Sequence, residues 1–148
     1  MVGRGTACTP GACARGDSGF TLVELLVVIL ILGLLAAIAV PSFFAQRSKG
    51  HDATAKVAVR TAQTAISTYA TDHDGEYTGA DPGELRAIEP TLNGALLSVD
   101  DAGADSYEIS VSSLTGNAFT IHRRADGSSE LACTVAATYG CPASGLWG

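Results

Sequence analysis

The chain has 148 residues, 47% of them apolar and 16% charged, with a formal net charge of −6. That composition excludes a disordered chain, and the length allows one domain rather than two. The negative balance argues against nucleic acid or an anionic membrane surface as the principal partner. Much of the apolar surplus lies between Phe20 and Phe44, and Leu25 to Val40 carry no charge at all. Beyond Phe44 the chain is small and polar, rich in Ala, Thr, Ser, Gly and Asp. Barely a hundred residues remain there to build a core, so a folded domain would need a further constraint. Four cysteines, Cys8, Cys13, Cys133 and Cys141, are available to supply one.

At about 1.5 Å per residue, residues 20–44 as a helix cross a hydrocarbon core of about 30 Å. A plain signal anchor fits this segment. So does a secretory signal peptide, with Arg4 and Arg15 as its positive start and Ala37-Ile38-Ala39 as a small-x-small cleavage pattern. Neither needs Glu24, which interrupts the run at a cost of roughly 2.5–3.5 kcal/mol if placed at the centre of a span. Gly19-Phe20-Thr21-Leu22-Val23-Glu24 follows a short polar leader and leads directly into the apolar run. This combination resembles the processing site of type IV prepilins and of the related type II secretion pseudopilins. The resemblance implies cleavage by a prepilin peptidase after Gly19, N-methylation of the new N-terminal Phe20, and an assembly role for the acid at the fifth mature position, Glu24. It also implies a leader over residues 1–19, a membrane and assembly helix over 20–44, and no enzymatic activity or cofactor. The implied product is a homo-oligomeric helical filament, built by pilus assembly machinery from subunits held in the cytoplasmic membrane and displayed outside the cell. Adhesion, twitching, DNA uptake and secretion all run on that architecture.

The leader carries Arg4 and Arg15 against Asp17, and Arg15-Gly16-Asp17 spells an integrin-binding tripeptide within a segment that processing would discard. Cys8 and Cys13 would stay reduced on the cytoplasmic side. Counting flanking Lys and Arg alone would put the C-terminal part inside the cell, because Arg47, Lys49, Lys56 and Arg60 outnumber the leader's two arginines. The resemblance and the cysteines require the opposite orientation.

Gly33 and Pro41 are the places where the helix can bend or loosen, and they stand where similar pilins often carry Gly and Pro. From residue 45 to 72 the helix should continue as an amphipathic one. Val59, Ala62, Ile66 and Tyr69 form a single apolar stripe, with Lys56, Arg60, Gln63 and Ser67 off it. Gly75 is the expected left-handed cap. Residues 73–105 then read as a connection containing a short helix, with Asp81 as N-cap, Pro82 at its first position and Glu84 as capping-box acid. Leu85 and Ile88 should point inward before Pro90. Ala95 to Val99 suggest a first edge strand.

Residues 106–148 read as an antiparallel meander. Tyr107, Ile109 and Val111 share one face, as do Phe119 and Ile121, and Leu131, Cys133 and Val135. Thr115-Gly116-Asn117 and Ala125-Asp126-Gly127 supply the turns. The apolar face needs a cover, and the Val59–Tyr69 stripe offers one, giving an α+β fold of a long helix against a small antiparallel sheet. Cys133 and Cys141 enclose seven residues and should pair in an oxidising exterior. Similar pilins often close such a loop, whereas similar major pseudopilins usually lack it and bind calcium instead. Trp147 is left either to cover the sheet or to meet a neighbouring subunit.

Enzyme signatures are absent from the sequence: no G-x-S-x-G, phosphate-binding glycine loop, H-E-x-x-H or C-x-x-C. His51, His73 and His122 are scattered. His122-Arg123-Arg124 is a single basic spot of a kind some pilins use to contact DNA, but no nucleic acid is expected as a partner of so acidic a domain. Asp72, Asp74 and Glu76, and separately Asp100, Asp101 and Asp105, are acidic groupings to compare with calcium loops. No metal ligand is assigned.

Overall fold

The computed structural model describes residues 19–148, so the leader residues Arg4, Arg15 and Asp17 and the thiols of Cys8 and Cys13 lie outside the described residues. Those described fall into two units, one ending at Ile38 and one running Ala39–Gly148. Helix α1 (Leu22–Thr71) supplies the whole of the first from Leu22 onward. Thr21 caps it: its Oγ1 accepts from the Glu24 N–H at 3.2 Å and its carbonyl from the Leu25 N–H at 3.2 Å. Threonine three residues before a glutamate is the start pattern of a helix.

Within the second unit, α1 turns one face inward. Ala55, Val59, Ala62, Ala65, Ile66 and Tyr69 are buried, at the three- and four-residue spacing that puts side chains on one stripe. The helix ends in a left-handed turn that begins at Asp74 (φ 55°) and continues through Gly75 (φ 91°), the Gly75 N–H reaching back to the Ala70 carbonyl at 2.8 Å. The left-handed turn therefore starts one residue before the glycine, and aspartate tolerates it better than most side chains do. Helix α2 (Pro82–Ile88) follows, its Asp81 cap accepting from the Gly83 and Glu84 N–H groups at 2.7 and 2.9 Å.

Four strands form one antiparallel meander in the order β1-β2-β3-β4: β1 (Leu96–Ala102), β2 (Tyr107–Ser112), β3 (Ala118–Arg123) and β4 (Ser129–Cys133). The register stacks Val111 beside Phe119 and Ile109 beside Ile121, with Leu131 and Cys133 next across β3. Because strand side chains alternate, these residues share one face with Leu97 and Val99. That face closes over the α1 stripe in a single core with Leu85 and Leu92. Each fully buried large aliphatic side chain there contributes about 1.5–3 kcal/mol relative to exposure.

Three local expectations change. Ile88 is exposed rather than inward. Pro90 breaks α2 and starts a 3-10 turn (Pro90–Gly94), whose Leu92 takes the buried place instead. The first strand begins at Leu96 and runs to Ala102, because a bulge at Asp100 adds a residue and lets pairing continue. Val135 leaves the sheet and is exposed. Strand β4 stops at Cys133, whose N–H turns to the Gly145 carbonyl at 2.8 Å, while the Thr134 N–H closes onto the Ala118 carbonyl at 3.1 Å.

Candidate functional site

In the first unit the apolar side chains have no cover. Phe20, Leu22 and Leu34 are about three-quarters exposed, at 74%, 75% and 68%. By length and composition this helix can cross a membrane. Glu24 is the sole charged residue between Phe20 and Arg47. Its backbone N–H is held by Thr21, while its carboxylate is exposed and accepts no hydrogen bond from the described residues. Gly33 also lies in this unit, with open space where a Cβ would stand. Pro41 lies within α1 in the second unit.

A second constellation, missed at the level of sequence, lies on the buried face of α1. Asp52 is fully buried. Its Oδ1 accepts from Ser113 Oγ at 2.7 Å and from the Thr115 hydroxyl. Its Oδ2 accepts from Asn117 Nδ2 at 3.0 Å and from the Gly140 N–H at 2.9 Å. Burial alone would push this carboxyl up; the four hydrogen bonds to the charged form outweigh it and hold it below the usual carboxylate range. One helical turn on, Lys56 Nζ donates to the Gly140 carbonyl at 2.6 Å. The two side chains thus grip both sides of residue 140. Only glycine allows this approach, since a Cβ there would lie 2.6 Å from the Asp52 Cβ. The signal was available: stepping the stripe back from Val59 by four and three residues reaches Ala55 and then Asp52.

Cys133 and Cys141 are joined by a disulfide, Cα–Cα 5.9 Å, so the segment that Asp52 and Lys56 hold is also closed covalently. Trp147 covers the edge of the core. Its ring meets Phe119 edge-on at 5.9 Å, and its Nε1 donates to the Ala132 carbonyl at 2.8 Å. Lys56 and Arg60 approach the indole at 5.5 and 5.2 Å, within cation–π range.

The other candidates disperse. His51 borders a cleft of about 360 Å³ with Thr54, Leu96 and Leu114. His73 stacks on Tyr69 at 3.8 Å, and His122 lies opposite Glu108 and Glu130 in the sheet. The basic spot is divided: Arg124 pairs with Glu130, and Arg123 lies over the Tyr77 ring at 6.0 Å. Asp100 accepts from Ser98 and Ser110 at 2.7 and 2.6 Å. Among the described residues no group of three or more His, Cys, Asp or Glu is placed to hold a metal ion.

Comparison with known proteins joins these features. The family described as "Prokaryotic N-terminal methylation motif" matches residues 14–40. The type IV wide pilus major component PilA4 of Thermus thermophilus is 31% identical over 94 residues, 63% of this chain and 71% of that protein. The chain belongs to the type IV pilin family. The type IV major pilin protein PilA of Myxococcus xanthus is 38% identical over 58 residues, covering 39% of this pilin-family chain but 26% of that protein. The type II secretion system core protein G of Pseudomonas aeruginosa is 37% identical over 59 residues, 40% of this chain and 42% of that protein. No solved structure matches significantly. The relatives are named as structural components of pili and secretion systems rather than as enzymes.

In this pilin-family chain the disulfide should carry measurable stability. Replacing Cys133 and Cys141 by Ser should lower unfolding free energy by roughly 2–3 kcal/mol, the loop-closure value for so short a ring. Denaturant melts of the two chains, each without reductant, check it.

Proposed function

We propose that the chain is a structural subunit of an extracellular type IV pilus. Prepilin peptidase cuts after Gly19, Phe20 becomes the methylated N-terminus, and the subunit waits in the cytoplasmic membrane, held by its apolar helix, until assembly machinery adds it to a filament of identical copies. The observation that carries this reading is Glu24: an exposed, unpartnered carboxylate, five residues from Gly19 and alone in an uncovered apolar helix. In a bundle of such helices it meets the Phe20 amino group of a neighbour, a base with a reference pKa of about 7.7–8.0. Either charge is costly alone in hydrocarbon. Together they are tolerable, and the pair fixes axial register more than it adds stability. Gly33 and Pro41 let the helix loosen as subunits pack.

The Cys133–Cys141 disulfide favours a pilus subunit over the alternative, a type II secretion pseudopilin, since similar major pseudopilins usually lack that ring. Intact mass and N-terminal sequencing of protein sheared from cells, without reductant, test the reading. The expected chain starts at methylated Phe20 and is two hydrogens light. A chain beginning at Met1 and found only in membranes would leave a monomeric anchored domain in its place.

A further inference from the structure

The charges that the filament reading leaves unused are sorted along the chain. Residues 45–71 carry four bases, Arg47, Lys49, Lys56 and Arg60, and one acid, the buried Asp52. Lys56 and Arg60 are engaged by Gly140 and the Trp147 ring, which leaves the exposed Arg47 and Lys49. Residues 72–108 carry ten acids and one base, Arg86. The fold keeps most of this sorting in space, although Arg123, over the Tyr77 ring at 6.0 Å, is a base brought to the acidic end. Asp72, Asp74 and Glu76 follow the last turn of α1 and are exposed. The β1–β2 turn is drawn to the same end, where the Tyr77 N–H donates to the Ala104 carbonyl at 3.3 Å and the Tyr77 and Tyr107 rings meet at 4.8 Å. That contact adds the exposed carboxylates of Asp101 and Asp105 to this pole.

The opposite pole lies back along α1. At about 1.5 Å per residue, Lys49 stands roughly 35 Å before Asp72 and Arg47 roughly 37 Å before it. Both separations exceed the screening length of about 8 Å at physiological salt, so the poles do not neutralise one another within a chain. Among the described residues the one ion pair is Arg124–Glu130, which belongs to neither pole.

Unlike poles at opposite ends of an axis match when copies stack head to tail. Such a contact is heterologous, and where its rotation does not close a ring it propagates, as a filament requires. We propose that the acidic pole of Asp72, Asp74, Glu76, Asp101 and Asp105 docks against the basic flank formed by Arg47 and Lys49 of a second copy. The proposal rests on the filament reading and adds to it a surface outside the apolar helix. A copy serves both poles at once, whereas an anionic lipid surface would take the basic flank and leave the acidic pole uncovered. Complementary poles also orient each arriving subunit, because an inverted copy sets like charge against like.

Charge exchange tests it in cells producing the full-length chain. Three variants are needed: Arg47→Glu with Lys49→Glu, Asp72→Lys with Asp105→Lys, and all four together. The reading is sheared filament as a fraction of processed chain, with intact mass confirming the Phe20 start and the disulfide. Either pair alone should reduce that fraction at least tenfold, and the fourfold exchange should return it to within about threefold of the parent. An unchanged fraction for either pair, or a fourfold variant no better than the pairs, would overturn the proposal. Loss with the basic pair alone would overturn it too, in favour of a lipid contact. Should the lysine pair not fold, Asp72→Asn with Asp105→Asn decides: at least a threefold loss supports the contact and an unchanged fraction refutes it. A parent chain that forms no filament would instead remove the filament reading, and this inference with it.

Discussion

Replacing Asp52 by alanine should cost the folded domain about 3–5 kcal/mol, the range for removing one side of a buried charged network. Against a total of about 5–15 kcal/mol for a typical domain, that is a large share. Four donors lose their acceptor together: the Ser113 and Thr115 hydroxyls, Asn117 Nδ2 and the Gly140 N–H. Each buried donor left unpaired costs about 1–3 kcal/mol. Asp52→Asn should cost less, about 1–2 kcal/mol. Its oxygen can face Asn117 and Gly140, while its amide faces two hydroxyls that rotate to accept. Denaturant unfolding of the processed chain in detergent measures both.

The same residue sets an acid limit. Its folded pKa lies below the ordinary value of 3.8, through the hydrogen bonds that outweigh burial. On acidification the unfolded chain therefore takes up the proton first. Stability is complete above about pH 3.8 and is lost as pH falls through the lower folded value. Asp126, lowered by its Ser128 bonds, acts in the same direction from the surface. An Asp52→Asn chain should lose most of this slope and an Asp126→Asn chain little of it, in melts between pH 2 and pH 6. Equal slopes in parent and Asp52→Asn would refute the assignment.

Replacing Glu24 by alanine should leave a subunit that inserts in the membrane yet enters few filaments. The helix becomes more apolar, so insertion improves. Each added subunit, however, would bury an unpaired Phe20 amine, at about 3–5 kcal/mol, a factor of roughly 10² to several thousand in the addition equilibrium. Glu24→Asp keeps the charge and should retain part of assembly; Glu24→Gln keeps only the shape and should fail nearly as badly as alanine. Shearing cells and comparing filament protein with the membrane pool checks all three. Alanine chains that assemble normally would reduce Glu24 to the third residue of a helix cap, a role that Thr21 three residues earlier makes available.

The order and type of the main elements were open to reading from the sequence, because each rests on a local pattern. The uncharged run after Glu24 reads as a long apolar helix, the Val59–Tyr69 spacing gives one buried stripe, and the alternation through Tyr107, Ile109 and Val111 gives a one-faced strand. The family was legible for the same reason, since its motif is contiguous from Gly19 to Glu24. Tertiary structure decided what depends on partners distant in the chain. In sequence Asp52 is one acid among four bases; in the fold Ser113, Asn117 and Gly140 close around it, at sequence separations of 61, 65 and 88 residues. Ile88 lost its inward place to Leu92, and Val135 left the sheet, because a proline and a returning backbone segment governed them rather than their own hydrophobicity. Trp147 found Phe119 and Ala132 only once β3 and β4 lay side by side. The sorting of charge followed the same logic: the sequence gathers acids after residue 71, but only the folding of the β1–β2 turn onto the end of α1 brings Asp101 and Asp105 to the end that carries Asp72, Asp74 and Glu76.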